Sequence, residues 1–265
     1  MIARPSGAAG DGHGDAATGL TIAISTIGAR LHQICLPPPT PGCTVLVLAQ
    51  EKPADAAPIC PDLRLIALPG RGVSASRNAA LAYAETTFVL FADDDVTLDM
   101  GAVLALRDHL LQHPGQAMAV GRLGAPGRPD TARTGPLRRT NVARIGTPAL
   151  MIRLAPFRAA GLGFDLRFGL GTGFPLGEEF IFVADALAAG LQGAHLPVEV
   201  GQHPSPSSGD NWADPGVLRA RAAALHRVFG AATLPYALAF VWRHRARIGG
   251  GRAMARFIRQ SLQTI

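Results

Sequence analysis

The chain has 265 residues, 48% hydrophobic and 17% charged, with a net charge of +6. That is enough for one large domain or two small ones with a sizeable core, and no stretch reaches the roughly 18 to 20 consecutive apolar residues of a membrane span. The positive balance is almost wholly arginine, Lys52 being the only lysine. It comes with no zinc-finger spacing and with only 6% aromatic residues, so no nucleic-acid partner is expected.

In chain order, residues 1–19 are rich in Gly, Ala and Asp and have no apolar centre. They read as a disordered lead, not as a secretory signal. Cys35, Cys43 and Cys60 are odd in number and lack zinc-ligand spacing, which reads as reduced thiols of a cytoplasmic protein. Leu20–Ser25 is a first strand, ending at Thr26-Ile-Gly-Ala-Arg30. Cys43–Ala49 is a second strand and Leu63–Leu68 a third. After the turn Pro69–Gly72, a helix is expected from Ser74 to Glu85, then a fourth strand over Phe88–Ala92 and a helix over Gly101–Gln112. Gly121–Arg139, rich in Arg, Gly and Pro, reads as a mobile loop, and Ala143–Arg153 as a strand. Gly161–Gly177 is studded with glycine. A helix follows over Glu178–Ala189, a last strand over Leu196–Val200, and a loop over Pro204–Asp214. Strands alternating with helices predict an α/β domain with a mostly parallel sheet. The domain is expected over residues 20–205, with a helical, basic extension over 206–265.

Three features carry chemistry. The run Phe88-Val-Leu-Phe-Ala-Asp-Asp-Asp-Val96 leads a buried strand into Asp93, Asp94 and Asp95. Unpaired acids cannot stay in a core, so they must emerge in a cleft facing positive charge. Mg²⁺-like cations prefer such oxygens and share them with substrate phosphates, and open α/β sheets bind ligands at the carboxyl ends of their strands. In Gly72-Val-Ser-Ala-Ser-Arg-Asn-Ala-Ala-Leu81, Ser74 or Ser76 can cap a helix whose N-terminus attracts anions. Arg77 then sits in the first turn, against the helix dipole, which invites a phosphate partner. Lastly, Glu178 and Glu179 open a helix after the glycine-rich loop, placing a carboxylate where a general base could work.

Taken together and in order, these segments resemble the family 2 glycosyltransferases of GT-A fold. The resemblance runs over roughly residues 20–205 and includes Ile24–Arg30, Gly72–Leu81, the Asp-x-Asp of Asp93–Asp95, the turn Gly163-Phe-Asp165, and Glu178-Glu179 with Gly190 beyond. It implies transfer of a sugar from a nucleotide diphosphate, most readily a UDP-sugar, to an acceptor hydroxyl, with inversion. By the same resemblance, Asp95 ligates Mn²⁺ or Mg²⁺, Asp93 holds the ribose or the metal, and His203 is a further metal ligand. Thr26, Arg30, Arg77, Asn78 and Asp94 lie around the nucleotide, and Glu51 stands where the family has an Asp near the base. Glu179 is the catalytic base with Glu178 beside it, and Asp165 and Trp212 face the acceptor. The family usually has an arginine on the helix after the acid pair; here Asp185 occupies that place. The expected acceptor is a saccharide or lipid-linked saccharide of surface polysaccharide synthesis. The apolar Leu234–Trp242 and the arginines after it suggest contact with the inner face of a membrane. A sugar-phosphate nucleotidyltransferase or a non-catalytic sugar-nucleotide binder are the alternatives.

Overall fold

A computed structural model describes residues 18–51, 63–124, 134–143, 145–202 and 211–263. The strands are β1 (Leu20–Ile27), β2 (Cys43–Gln50), β3 (Arg64–Leu68), β4 (Phe88–Asp93), β5 (Thr97–Leu98), β6 (Gln116–Gly124), β7 (Gly135–Pro136), β8 (Leu150–Arg153) and β9 (Gln192–Gln202). The helices are α1 (Val73–Tyr83), α2 (Met100–Gln112), α3 (Leu154–Ala159), α4 (Glu178–Ala188), α5 (Pro215–Phe229), α6 (Thr233–Ile248) and α7 (Gly251–Ser261).

All the strands join one sheet in the order β3-β2-β1-β4-β8-β6-β9-β5, with β7 alongside β9. β3, β2, β1 and β4 are parallel. β8 enters antiparallel between β4 and β6, and β6 pairs parallel with β9. β1 and β4 are central and covered on both faces, so they are buried almost throughout and mostly apolar, Thr21, Ser25, Thr26 and Asp93 being the polar positions. Alternate side chains serve opposite faces. Ile22, Ile24, Leu90 and Ala92 share a core with Val103, Leu106 and Leu110 of α2. Ala23, Val89 and Phe91 share the other with α1, α4 and the C-terminal helices.

Several boundaries differ from expectation, each for a reason the local sequence does not carry. Gly19 is already ordered, its carbonyl accepting from Phe88 N at 3.0 Å; residues 1–17 lie outside the described residues. β6 had no expectation: its Ala-Met-Ala-Val core has little β-branched character, and it is a strand because β8 and β9 flank it. It also takes the first four residues of the expected loop over 121–139, whose Gly135–Pro136 form β7. The strand expected over 143–153 shrinks to β8, after turns and a short helical turn at Thr147–Ala149. β9 is longer than expected because Pro197 falls in an irregular stretch where the pairing steps from Val120–His195 to Arg122–Glu199, a place that tolerates a missing donor.

The C-terminal extension is three helices. Asp214 caps α5, accepting from Gly216 N at 2.7 Å, with Pro215 at the first helical position. Pro215–Ile248 as a whole has the length and composition of a membrane-crossing helix. It is broken at Gly230, whose φ of 53° favours glycine, into helices of 15 and 16 residues, each short of the roughly 20 a span needs.

Candidate active site

The site is built at the carboxyl ends of β2, β1 and β4, where the register sets Ser25 opposite Asp93. Asp94 turns inward and is buried. Thr26 Oγ1 donates to its Oδ2 at 2.6 Å, and Arg30 Nη2 lies 2.9 Å from its Oδ1 and 3.5 Å from Asp95 Oδ2. Asp94 thus ties β1 to β4, which leaves Asp93 and Asp95 as the more open acids of the triplet, their side chains 36% and 30% exposed. Glu51 follows β2 with a left-handed φ of 53° and is exposed.

α1 is capped by neither serine. Its N-cap is Gly72, at φ 142°, whose N–H donates to Gln50 Oε1 at 2.7 Å. Ser74 Oγ instead donates to Phe168 O at 2.6 Å, and Ser76 Oγ to Ser25 Oγ at 2.8 Å. Arg77 is therefore the fifth helical residue, one turn later than expected. Its side chain is 4% exposed. Nη1 donates to Glu178 Oε1 at 2.9 Å and reaches Glu179 Oε1 at 3.5 Å, while Nη2 reaches Asp93 Oδ1 at 3.2 Å. Arg77 answers these three acids and not the helix dipole, two of the acids coming from a helix 101 and 102 residues away. Asn78, next on α1, uses both ends of its amide on the backbone of Phe164, donating to its carbonyl at 2.9 Å and accepting from its N–H at 2.7 Å. It clamps the Gly163–Asp165 turn.

That turn is seated by aromatics. Phe164 stacks on Phe182 of α4 with centroids 4.0 Å apart and meets Phe91 of β4 edge-on at 5.2 Å. Such pairs contribute about 0.5–1.5 kcal/mol each beyond burial. The Arg77 guanidinium lies 5.7 Å from the same Phe164 ring. The N-cap of α4 is Gly177, at φ 104°. Gly169 is needed for close approach: at φ 103°, a Cβ there would come within 3.1 Å of both Glu178 Cδ and Ser74 Oγ.

The two glutamates differ sharply. Glu178 is 95% hidden from solvent, and its Oε2 has no hydrogen-bond partner among the described residues. Burial, with the charge of Glu179 adding to it and Arg77 opposing, pushes its carboxyl up to about 8. Glu179 keeps 19% of its side chain open. At Asp93, although a third of its side chain is open, desolvation by the surrounding protein, with the charges of Glu179 and Asp95 adding to it, raises the pKa against the pull of Arg77.

Asp165 is firmly held. Arg167 Nη2 donates to it at 2.6 Å and Arg227 Nε, from α5, at 3.2 Å. Hydrogen bonding to Arg167 is the main reason its carboxyl is held down, at about 2. Arg227 also grips Asp185 of α4, at 3.1 and 2.7 Å. The acid that stands where the family usually has an arginine is thus paired with an arginine from α5. No local signal marked Arg227; only Asp185 hinted that a cation must come from elsewhere. Trp212 packs among the C-terminal helices, 5.9 Å from the Phe240 ring, with Arg221 4.3 Å from its own ring. His203 lies outside the described residues.

Residues 49–160 match the model described as glycosyl transferase family 2. The chain carries a family 2 glycosyltransferase domain. The matched segment holds Arg77 and the three aspartates and ends before Glu178 and Glu179. The glycosyltransferase fold is also that of solved GT-A enzymes. It is similar to S. aureus TarS 1-349 in complex with UDP, at 17% identity and a TM-score of 0.58, over 86% of this chain and 72% of that one. It is also similar to the mannosyltransferase PcManGT from Pyrobaculum calidifontis in complex with GDP-Man and Mn²⁺, at 18% identity and a TM-score of 0.55, over 89% and 77%. Against the longer TarS chain it spans 43% of the length. No curated sequence matches it.

The donor set of the glycosyltransferase fits a divalent cation shared with phosphates. Among the described residues no three His, Cys, Asp or Glu side chains form a ready cage. A hard cation held by one or two carboxylates plus substrate oxygens needs no such cage. Asp93 and Asp95 are accessible at the strand end, and even with Glu178 neutral the one guanidinium faces both Asp93 and Glu179, so negative charge is in excess.

Proposed function

We propose that this glycosyltransferase transfers a sugar from a nucleotide-diphosphate donor to an acceptor hydroxyl with inversion, Glu179 acting as the base. The observation that carries the reading is the Arg77 hub. One buried guanidinium joins the acid-bearing strand end to the acid pair of α4, so the donor side and the acceptor side of a transfer share one rigid centre. Asp95 and Asp93 would hold Mg²⁺ or Mn²⁺, which supplies Lewis-acid stabilisation of the leaving diphosphate. Arg77 holds Asp93 and both glutamates in fixed relation. Glu178, whose burial favours the protonated form at neutral pH, is the poorer base, and its enclosed Oε2 is out of reach of a substrate hydroxyl. Glu179, beside it and more open, can accept the proton of the acceptor hydroxyl as the new glycosidic bond forms and the bond to the diphosphate breaks.

The donor is a UDP-sugar in this reading, supported by the UDP complex of TarS; the GDP-Man complex of PcManGT makes a GDP-sugar the second to try. The acceptor is a saccharide, free or lipid-linked, of the kind built into surface polysaccharide. Donor-consumption assays with UDP- and GDP-sugars, with Mn²⁺ or EDTA, test the proposal. Glu179→Gln should lower turnover by about 10² to 10⁴ while donor affinity holds. Full activity in EDTA, or wild-type turnover in Glu179→Gln with loss in Glu178→Gln, overturns it.

A further inference from the structure

The C-terminal helices carry a surface that sugar transfer does not use. α6 turns Leu234, Leu238 and Trp242 outward, 43%, 49% and 72% exposed, and their spacing of four makes one stripe along the helix. Arg245 closes the stripe, its guanidinium 4.7 Å from the Trp242 ring and its Nη1 donating to Trp242 O at 2.8 Å. With Leu238, Val241 and Trp242 it lines a shallow groove of about 430 Å³, walled on the far side by Met254 of α7. The surrounding charge has one sign. Residues 215–265 hold nine of the chain's 25 lysines and arginines and none of its 19 acids, so the preceding part is net negative. On α7, Arg252, Arg256 and Arg259 are exposed.

We propose that this face docks the enzyme on an anionic lipid bilayer, with Leu234, Leu238 and Trp242 seated at the boundary between headgroups and acyl chains and the arginines on lipid phosphates. A helix with exposed Trp and Leu on one face and arginines at its rim has the composition of an interfacial helix. Charge complementarity selects this occupant. A second copy meeting the same face would bring like charge against like. A nucleic acid would satisfy the arginines but would leave Leu234 and Leu238, which offer no stacking surface, in water. The docking does not depend on which sugar is transferred.

The test is flotation of the full chain with vesicles of phosphatidylcholine alone or with about one-third phosphatidylglycerol, at low and high salt, read together with Trp fluorescence. The expected result is flotation on the anionic vesicles only, weakened by salt, with a blue shift that Trp242→Phe removes. Leu238→Ala with Trp242→Ala should lower partitioning at least tenfold, since each buries a large apolar side chain, and Arg256→Gln about fivefold. These side chains are exposed, so melting and transfer to a soluble acceptor should stay at wild type; loss of transfer in wild type as well would fault the catalytic reading and leave the docking result standing. Four results overturn the docking: no flotation on anionic vesicles at low salt, flotation unchanged in the double variant, tighter binding to random-sequence DNA than to vesicles, or a dimer in sedimentation that the double variant dissolves.

Discussion

The two ends of this molecule handle charge in opposite ways. At the strand ends, Arg77 is buried and surrounded by Asp93, Glu178 and Glu179. In the C-terminal helices, arginines such as Arg243, Arg252 and Arg256 stand in solvent, and no acid follows Asp214 in the sequence. The first arrangement is costly to desolvate and holds together only as a set; the second costs little and is strongly screened by salt. Buried charge here fixes the relative positions of β4, α1 and α4, while the exposed charge fixes no element against another. Arg227 lies on the border, a third exposed, and carries a helix of the basic end onto two acids of the catalytic end.

Breaking the buried set should have the largest effect. Arg77→Met leaves the Asp93 and Glu179 carboxylates crowded around Glu178 without a cation; a loss of about 3–5 kcal/mol is expected for stranded buried charge, measured by urea unfolding, together with loss of detectable transfer. A variant that unfolds like wild type would show that the hub is dispensable to the fold. Arg227→Ala should cost less, about 1–2 kcal/mol, because its pairs are partly solvated. Donor affinity should change little, since Arg227 pairs with Asp165 and Asp185 and not with the aspartates at the end of β4.

The acid side sharpens the contrast through pH. Glu178 has a folded-state pKa raised to about 8 from an unfolded 4.5. Between those values the folded state holds a proton that the unfolded state has released, so stability falls as pH rises through that window. Unfolding free energies measured from pH 5 to 8 in EDTA should decline in wild type and flatten in Glu178→Gln; parallel slopes would place the titration elsewhere. Asp165 has the opposite sign. Its folded pKa is held at about 2, so its contribution is present above the unfolded value near 4 and lost as pH falls toward 2. The smallest effect belongs to the exposed end: Arg256→Gln should leave the melting free energy within about 0.5 kcal/mol of wild type.

What the sequence made legible was what single segments encode. The apolar runs of β1 and β4 announced a buried parallel pair, and three acids after β4 announced a site at its carboxyl end. Glu178 and Glu179 were visible as acids opening a helix. What stayed hidden was everything settled between segments. Arg77 read as a phosphate contact because two of its three acids arrive from α4. Asn78 and Asp94 stood among candidate nucleotide contacts, and the folded chain occupies Asn78 with Phe164 and Asp94 with Thr26 and Arg30. β6 is a strand only because neighbours flank it. Arg227 could not be found by any local pattern, since it meets its acids across 42 and 62 residues.

The contact between α5 and the glycine-rich loop before α4 bears on how this chain could be cut or recombined. A Cβ on Gly177 would come within 2.9 Å of Ala224 Cβ, Arg219 donates to Gly173 O at 3.2 Å, and Arg227 closes on Asp165 and Asp185. The composition shift at Asp214 looks like a seam at which a shorter enzyme could be expressed or a different tail grafted. It is not one. A chain ending there would strip the wall from behind the loop that carries the acid pair, so a transplanted tail would have to reproduce the small, close-fitting face of α5 before its new surface could serve any purpose.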